Sequence, residues 1–313
     1  MAEIVYGVIV TYNRKDLLFQ NLVLQSKQIR KLDRIIVIDN GGNDGTYEYL
    51  TKNKIDFNWV IYIRLEKNIG CAGAFAKGIE MAFSNGANWA YVMDDDGRPF
   101  DEKTLLNLLN KINTMHLSSA EMVLANSLVQ IDENHLSFKL FESFDKNVSL
   151  SHVDDGIIQH QAKLWNGSLI SRGLYETIGG PNSSFGFKGE EVDYKSRASK
   201  SGAHIFTVFD SFYFHPQIKE SHVKILWKTN YFSFEPDWKY YYSVRNRIFM
   251  LVNENKRIRA YLFYLKFRLC AKKLCEKNNW KLTKKTIRIA KRDGFKKKLG
   301  LIDFDEYIKG NLK

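Results

Sequence analysis

The sequence predicts an α/β fold in which a mixed, mostly parallel central sheet is flanked by helices. Four apolar runs of strand length occur before residue 98, and each is followed by a loop and a helical pattern. These runs end in acidic or small residues, which suit the edge where open parallel sheets bind ligands. We therefore expect a doubly wound, Rossmann-like half-sheet in residues 1–98, a second half of the same domain in residues 99–250, and a basic helical extension in residues 251–313.

The composition is that of a globular protein. Hydrophobic residues make up 44% of the chain and aromatic residues 14%, which excludes an intrinsically disordered protein. Cys71, Cys270 and Cys275 show no zinc-ligand spacing and are too few for a disulfide framework, so we expect reduced thiols in a cytoplasmic protein. The sequence opens almost directly on a strand, and no apolar run approaches the ~20 residues that span a bilayer, so neither export nor a transmembrane anchor is expected.

The positive charge is concentrated near the C-terminus. Residues 256–298 carry 17 Lys and Arg against two acids, a local charge of +15, which leaves −3 of the total +12 for the rest of the chain. Residues 257–273 also carry apolar side chains at helical spacing, among them Ile258, Leu262, Leu265 and Leu269. This pattern is typical of a helix on an anionic membrane surface, and a helical cap with a solvated basic face is the alternative.

Candidate ligand contacts follow the first two predicted strands. Residues 4–10 form a β-branched apolar run, and four loop residues separate it from a helical pattern over residues 15–28: Thr11, Tyr12, Asn13 and Arg14. The second run, residues 34–40, carries Asp39 at its end, before a glycine-rich turn. A carboxylate at the end of a parallel strand lies where such sheets bind ligands, and a helix cap or turn residue is the alternative.

The third strand leads into small residues and the fourth into acids. Residues 59–65 precede Asn68, Gly70 and a predicted helix over residues 74–84. Small residues at this point let the backbone approach a ligand or a neighbouring strand closely. The fourth run ends in three consecutive carboxylates, Asp94, Asp95 and Asp96.

The three consecutive carboxylates predict a metal site. Adjacent acids repel one another and are costly at the end of a packed strand unless a cation or several donors compensate them. Mg²⁺ and Mn²⁺ prefer carboxylate oxygens and keep coordination positions open for substrate phosphates. We therefore expect Mn²⁺ or Mg²⁺ here, holding a diphosphate; a solvated acidic turn is the alternative.

The second half of the chain is less regular. Residues 131–160 form a long acidic segment of uncertain structure, and such segments are usually binding loops or mobile lids. Further along, Glu190, Glu191 and Asp193 open a predicted helix, in greater number than the helix dipole requires. A strand over residues 204–214 then ends before His215.

In this order and spacing, the chain resembles the inverting family 2 glycosyltransferases with the A-type fold, over roughly residues 4–250. The resemblance rests on the segment 10–14, Asp39-Asn40-Gly41, Asn68-x-Gly70, Asp94-Asp95-Asp96, Glu190-Glu191-x-Asp193 and His215. Within that family the chain is most similar to bacterial galactofuranosyltransferases. Three features carry this closer similarity: a Gly/Ala-rich segment ending in Phe75, the run of three Asp, and an aromatic segment that leads into Arg245-Asn246.

The resemblance implies a metal-dependent, direct displacement at the anomeric carbon of a nucleotide sugar. The favoured donor is UDP-galactofuranose, and the acceptor a glycan or polyprenyl-linked glycan of cell-surface polysaccharide synthesis, made at the inner face of the cell membrane. A rhamnosyltransferase that uses a dTDP- or UDP-linked sugar is the first alternative. A non-catalytic nucleotide or polyanion binder is the second, although a polyanion binder has no use for the acidic clusters. We expect no nucleic-acid partner, and a homo-oligomer is left open.

The resemblance also implies a role for each matching residue. Glu191 stands at the position of the catalytic base, and Glu190 and Asp193 would place it or bind acceptor hydroxyls. The family usually has Asp at this position, so Asp193 is the alternative base. The metal ligands would be Asp94, Asp96 and His215. Donor contacts would come from Thr11, Tyr12, Asn13, Arg14, Asp39, Asn68, Gly70, Asp94 and Asp95. Acceptor contacts would come from Trp165 and Asn166, with Trp165 as a stacking platform or, equally, a buried core residue.

Overall fold

The computed structural model describes residues 3–141, 143–217, 221–225, 228–232, 235–275 and 280–309. Residue 142 of the predicted loop, and residues 276–279 and 310–313 of the predicted C-terminal extension, lie outside the described residues. The chain folds into two compact units. The sheet unit comprises Met1–Ile69, Ala74–Pro181 and Tyr194–Gln217, and the helical unit comprises Gly70–Gly73, Asn182–Asp193 and Ile218–Lys313. The predicted boundaries at residues 98 and 250 stay predictions.

The sheet unit is built on one mixed sheet. Its strands are β1 (Val5–Thr11), β2 (Arg34–Asp39), β3 (Val60–Arg64), β4 (Trp89–Asp94), β5 (Arg98–Pro99), β6 (Val123–Gln130), β7 (His135–Leu140), β8 (Ser143–Asp145), β9 (Ile157–Gln159), β10 (Asn166–Ser171) and β11 (His204–Phe214). The central order is β3-β2-β1-β4-β10-β6-β11-β5. Strands β1 to β4 are parallel, β10 runs antiparallel to β4 and β6, and β11 is parallel to β6. The predicted α/β class with a mixed central sheet is confirmed.

Helices follow the strands as the sequence predicts. They are α1 (Lys15–Ser26), α2 (Thr46–Lys52), α3 (Gly70–Ser84), α4 (Thr104–Thr114), α5 (Lys146–Leu150), α6 (Arg172–Ile178), α7 (Glu190–Lys200), α8 (Asp237–Asn253), α9 (Arg257–Leu274) and α10 (Trp280–Phe295). Strands β1, β2 and β4 are buried along almost their whole length, which explains their continuous apolar sequences. Helix α3 packs closely on β1, because a Cβ atom at Gly78 would lie 2.5 Å from Val8 Cγ1.

The segment 131–160 is not the irregular loop that the sequence predicts. It contains β7, β8, α5 and β9, and β9 pairs antiparallel with β11. Leu136, Leu140 and Ile158 of this segment form a small buried cluster with Leu128. Strands of three to six residues with mixed polarity carry little periodic signal, which is why the sequence pattern missed them.

The helical unit has its own core. Helices α8, α9 and α10 pack around aromatic and aliphatic side chains, and β12 (Ser221–Ile225) pairs antiparallel with β13 (Lys228–Phe232). Buried members of the core include Tyr241, Ile248, Tyr264 and Ile287. Among the residues that the structure describes, no helix is both long and apolar enough to cross a membrane.

Candidate active site

Strand register brings the predicted donor-site residues to one edge of the sheet. Thr11 at the end of β1 pairs with Asp39 at the end of β2, and Val10 pairs with Asp94 at the end of β4. Parallel strands end at the same edge, so these carboxylates share it with the loop that follows β1. The apolar runs thus determine where the polar side chains that follow them lie.

Asp94, Asp96 and His215 lie together at this edge. One potential ligand atom from each residue lies within 4.8 Å of those of the other two. His215 Nε2 is 3.4 Å from Asp96 Oδ1, and Nδ1 lies 2.6 Å from the carbonyl oxygen of Pro216. A carbonyl can only accept, so Nδ1 carries the proton and donates to it, which leaves the lone pair of Nε2 on the side of the carboxylates. Two carboxylates and an imidazole fit Mn²⁺, and less well Mg²⁺.

Asp95 does not belong to this cluster. Its buried carboxylate accepts a hydrogen bond from Thr11 Oγ1 at 2.8 Å and from Arg14 Nη1 at 3.0 Å. Arg14 Nη1 also lies 2.9 Å from Asp96 Oδ2, so one guanidinium bridges two of the three acids. Arg14 therefore supplies part of the positive charge that three adjacent acids require. Its side chain remains 50% exposed.

The two acids bridged by Arg14 respond differently to their surroundings. Burial raises the pKa of Asp95, against the opposing effects of Arg14 and Thr11. Burial also acts to raise the pKa of Asp96, but the hydrogen bond and charge that His215 supplies when its Nε2 is protonated as well, followed by Arg14, outweigh it and hold the pKa below the ordinary value. Of Asp95 and Asp96, Asp96 therefore has the lower tendency to take up a proton, which suits a metal ligand.

Asp39 is almost fully buried and held by two donors. Gly42 N–H donates to Oδ1 at 2.8 Å, and the Tyr62 hydroxyl donates to Oδ2. The sequence pattern did not single out Tyr62, which lies in β3 without any motif around it. Beside Asp39 there is a cleft of about 300 Å³, also lined by Tyr47, Tyr62 and Arg64.

The remaining predicted donor contacts of the sheet unit shape the loops at its edge. Asn13 has φ +54° and accepts a hydrogen bond from Asn43 N–H at 2.7 Å. Asn68 Oδ1 accepts from Asn40 Nδ2 at 3.1 Å, so this pair joins the loops that follow β2 and β3. Tyr12, by contrast, is 47% exposed and offers an aromatic ring to a ligand.

Gly70 lies in the helical unit, where it approaches another backbone segment. A Cβ atom at Gly70 would lie 2.3 Å from the carbonyl oxygen of Gly186, and its φ of +79° favours glycine. Ala72 N–H donates to the same carbonyl at 3.1 Å. Gly70 therefore allows the close approach of the backbone at Gly186.

Glu190, Glu191 and Asp193 form the first turn of α7, as predicted. Glu190 is 3% exposed, and Cys71 Sγ donates to its Oε1 over 3.3 Å. Burial, followed by the charge of Glu191, raises the pKa of Glu190 to about 8. Glu191 is partly exposed, and its Oε2 accepts from Gly189 N–H at 3.0 Å. One carboxyl of the pair is therefore buried and the other accessible.

Helix α8 holds the loop that leads into these acids. Asn246 Nδ2 lies within hydrogen-bond distance of the carbonyl oxygens of Phe185, Phe187 and Lys188, at 3.1, 2.8 and 2.7 Å. The fully buried Arg245 donates to the Phe185 carbonyl at 2.8 Å. Arg245 and Asn246 carried part of the family resemblance, but the sequence did not predict that they would hydrogen-bond to the loop before α7.

Trp165 and Asn166 are buried. Trp165 is 3% exposed, stacks on Phe75 with ring centroids 4.9 Å apart, and packs near Tyr194. Asn166 Nδ2 donates to the Leu164 carbonyl at 2.9 Å. Of the two alternatives for Trp165, the structure therefore shows the core residue, because neither ring face is open to an acceptor sugar.

Comparison with known proteins agrees with the site. The family model for glycosyl transferase family 2 matches residues 7–160. Galactofuranosyltransferase GlfT1 of Mycolicibacterium smegmatis is 29% identical over 258 residues, which cover 80% of this chain and 83% of that enzyme.

Two solved structures are similar over most of the chain. GalNAc-T7 with UDP, GalNAc and Mn²⁺ has a TM-score of 0.61 at 14% identity, covering 99% of this chain but only 57% of that one. The mannosyltransferase PcManGT from Pyrobaculum calidifontis, in complex with GDP-Man and Mn²⁺, has a TM-score of 0.56 at 14% identity, covering 94% and 83%.

The family 2 match and the similarity to GlfT1 indicate a nucleotide-sugar-dependent glycosyltransferase, and the chain has the A-type fold of its structural neighbours. The match of residues 7–160 to the family 2 model and the similarity to GlfT1 confirm the predicted resemblance to that family.

Proposed function

We propose that the chain is a metal-dependent, inverting galactofuranosyltransferase that uses UDP-galactofuranose. The observation that carries the metal dependence is the cluster of Asp94, Asp96 and His215 at the edge of the sheet. Support for the sugar comes from the similarity to galactofuranosyltransferase GlfT1 over 80% of the chain. The acceptor in this proposal is a glycan or polyprenyl-linked glycan of cell-surface polysaccharide synthesis.

The residues of the sheet unit would bind the donor. Asp94, Asp96 and His215 would hold Mn²⁺ or Mg²⁺, which when bound neutralises charge on the leaving diphosphate. Arg14 would add a second positive charge there, and its half-exposed guanidinium is suited to a phosphate oxygen. Asp39 would accept a hydrogen bond from uracil or ribose, with its carboxylate oriented by Gly42 and Tyr62. Tyr12 would supply an exposed aromatic face to the nucleotide.

Within the helical unit, Glu191 would act as the general base. Its carboxylate is partly exposed, whereas that of Glu190 is buried, so Glu191 is the better placed to take the proton of an acceptor hydroxyl. The hydrogen bond from Gly189 N–H to Oε2 orients this carboxylate. Asp193 would then contact acceptor hydroxyls, and it remains the alternative base.

The C-terminal extension would attach the enzyme to the anionic inner face of the cell membrane. Helix α9 exposes Ile258, Tyr261, Leu262 and Leu269 by 78%, 47%, 58% and 50%. Its other side packs Tyr264 and Phe267 into the core of the helical unit. A packed helix with an exposed apolar stripe among Lys and Arg is suited to a membrane interface.

The proposed activity is tested by measuring free nucleotide released from a panel of nucleotide sugars with Mn²⁺. We expect release from UDP-galactofuranose when a galactan or lipid-linked acceptor is added, and loss of release in excess chelator. Preference for dTDP- or UDP-rhamnose would assign the rhamnosyl alternative. Nucleotide binding without turnover on any donor would favour the non-catalytic binder.

A further inference from the structure

Glu190 occupies an unusual position for a carboxyl group. It is 3% exposed, and its Oε2 atom is buried without a hydrogen-bond partner in the part of the chain that the structure describes. Its other oxygen receives the weak thiol donor of Cys71, at 3.3 Å. A buried carboxylate normally collects several strong donors or a cation, because its ionised form is otherwise poorly solvated.

The charged groups around Glu190 do not supply that compensation. Glu191, next to it on α7, adds repulsion and is the second cause, after burial, of the raised pKa. Lys188 is the nearest cation along the chain, but it pairs with Glu235 at 2.7 Å. The backbone N–H of Glu190 and then the thiol of Cys71, from the first turn of α3, oppose the shift, but burial and the charge of Glu191 outweigh them. These surroundings favour the neutral acid at physiological pH.

We propose that Glu190 is held as a neutral carboxylic acid, so that Glu191 is the ionised member of the pair. Two adjacent carboxyl groups titrate together, and a proton kept on one relieves the repulsion that would otherwise hold a proton on the other. Glu190 is in this sense a positioning residue that acts through Glu191. The inference rests on the proposed function, in which Glu191 is the base.

The proposal predicts an alkaline limb in the pH profile. When Glu190 ionises, a second negative charge enters its buried pocket, and its repulsion displaces the Glu191 carboxylate from the position that it holds beside a neutral partner. With a pKa of about 8, the neutral fraction falls about tenfold between pH 7 and pH 9. We expect kcat of the wild type to fall by that factor. In Glu190→Gln, which stays neutral at every pH, the ratio of kcat at pH 9 to that at pH 7 should remain close to one.

Cys71→Ala tests which group titrates, because the thiol of Cys71 is a further ionisable group in direct contact with Glu190. Removing its hydrogen bond in Cys71→Ala takes away a small stabilisation of the ionised Glu190, so the limb should move to higher pH. A limb that disappears in Cys71→Ala, or one that persists in Glu190→Gln, would overturn the assignment to Glu190.

A measurement that does not use turnover separates this proposal from the proposed function. Infrared difference spectra between wild type and Glu190→Gln at pH 7 should show the carbonyl band of a protonated carboxylic acid in the wild type alone. Absence of that band would overturn the proposal even in an active enzyme. Its presence in a protein that transfers no sugar would uphold the neutral Glu190 and reject the function.

Discussion

Asp96 is contacted from two sides, by Arg14 at 2.9 Å and by His215 at 3.4 Å. Because its carboxylate belongs to the proposed metal cluster, Asp96→Ala should lower Mn²⁺-supported UDP binding and turnover by roughly 10²-fold or more. Calorimetric titration with UDP, with and without Mn²⁺, measures the effect. Asp155→Ala is the control, since Asp155 is 84% exposed in a surface ion pair and should leave binding unchanged. Full activity in excess chelator would contradict the prediction.

Glu191 and Asp193 compete for the role of base at the same turn of α7. Glu191→Gln keeps the size of the side chain but cannot accept a proton, so turnover should fall ~10²–10⁴-fold while UDP binding is retained. The comparison is Asp193→Asn, which should affect the KM for the acceptor more than kcat. If Glu191→Gln stays near wild type and Asp193→Asn is inactive, the base is Asp193. Loss of UDP binding in Glu191→Gln would place the residue in the donor site.

Glu190 also links stability to pH. Its pKa in the folded chain, about 8, lies above the ordinary 4.5, so the neutral acid is favoured by folding. The stability it contributes is complete below about pH 4.5 and is lost as the pH rises towards 8, by up to ~1.4 kcal/mol per pH unit. Urea unfolding at pH 5 and pH 8 should show this loss in the wild type and a smaller one in Glu190→Gln. An equal loss in both proteins would show that other groups cause it.

At the scale of elements, the loop before α7 depends on α8. Asn246 contacts three carbonyl oxygens of that loop, and each hydrogen bond contributes roughly 0.5–1.5 kcal/mol net. Asn246→Ala should therefore destabilise the protein by about 2–3 kcal/mol and lower kcat, because the loop positions Glu191. The control on the same helix is Asn253→Ala, an exposed residue that should change unfolding by less than about 0.5 kcal/mol. A normal kcat in Asn246→Ala would mean that these hydrogen bonds contribute to stability alone.

The sequence predicted elements well where one face or both faces are buried. Strands β1, β2 and β4 and helix α7 follow from apolar runs and from acids in a first turn, and the order of their polar ends indicated the site. The sequence did not predict β7 to β9, because their burial depends on pairing with distant strands such as β11 and not on a local alternation of apolar and polar residues. It also placed the start of α3 at residue 74, because Gly70 and Gly73 suggested a loop, whereas the helix begins at Gly70.

Candidate side chains were easier to predict than their contacts. Motif positions identified Asp94, Asp96 and His215, which the structure brings together. No local pattern could show that Arg14 bridges Asp95 and Asp96, that Tyr62 holds Asp39, or that Cys71 meets Glu190 from more than a hundred residues away. These contacts depend on tertiary packing, and they decide which carboxyl groups stay ionised.

At the scale of the whole molecule, the positive charge is concentrated in the C-terminal extension, for which we propose membrane attachment. Residues 256–298 carry a net +15, and the rest of the chain a net −3. Helices α9 and α10 also contribute buried residues to the core of the helical unit, among them Ala260, Ile287 and Ala290. Deleting these helices would therefore unfold the unit, so membrane attachment has to be tested by substitutions on the exposed face of α9.

Ile258 and Leu262 are the residues for that test, because they are exposed by 78% and 58% one helical turn apart. The double variant Ile258→Asp/Leu262→Asp removes apolar contact and adds negative charge beside cations that each contribute ~1 kcal/mol at an anionic surface. We expect co-sedimentation with anionic vesicles to weaken at least tenfold, while UDP binding is retained. Leu150→Asp, at an exposed apolar position of α5, is the control and should bind as wild type does. Wild-type binding should also weaken at high salt, since charges are screened over ~8–10 Å. Vesicle binding that neither the double variant nor salt reduces would leave α9 as a cap on the helical unit.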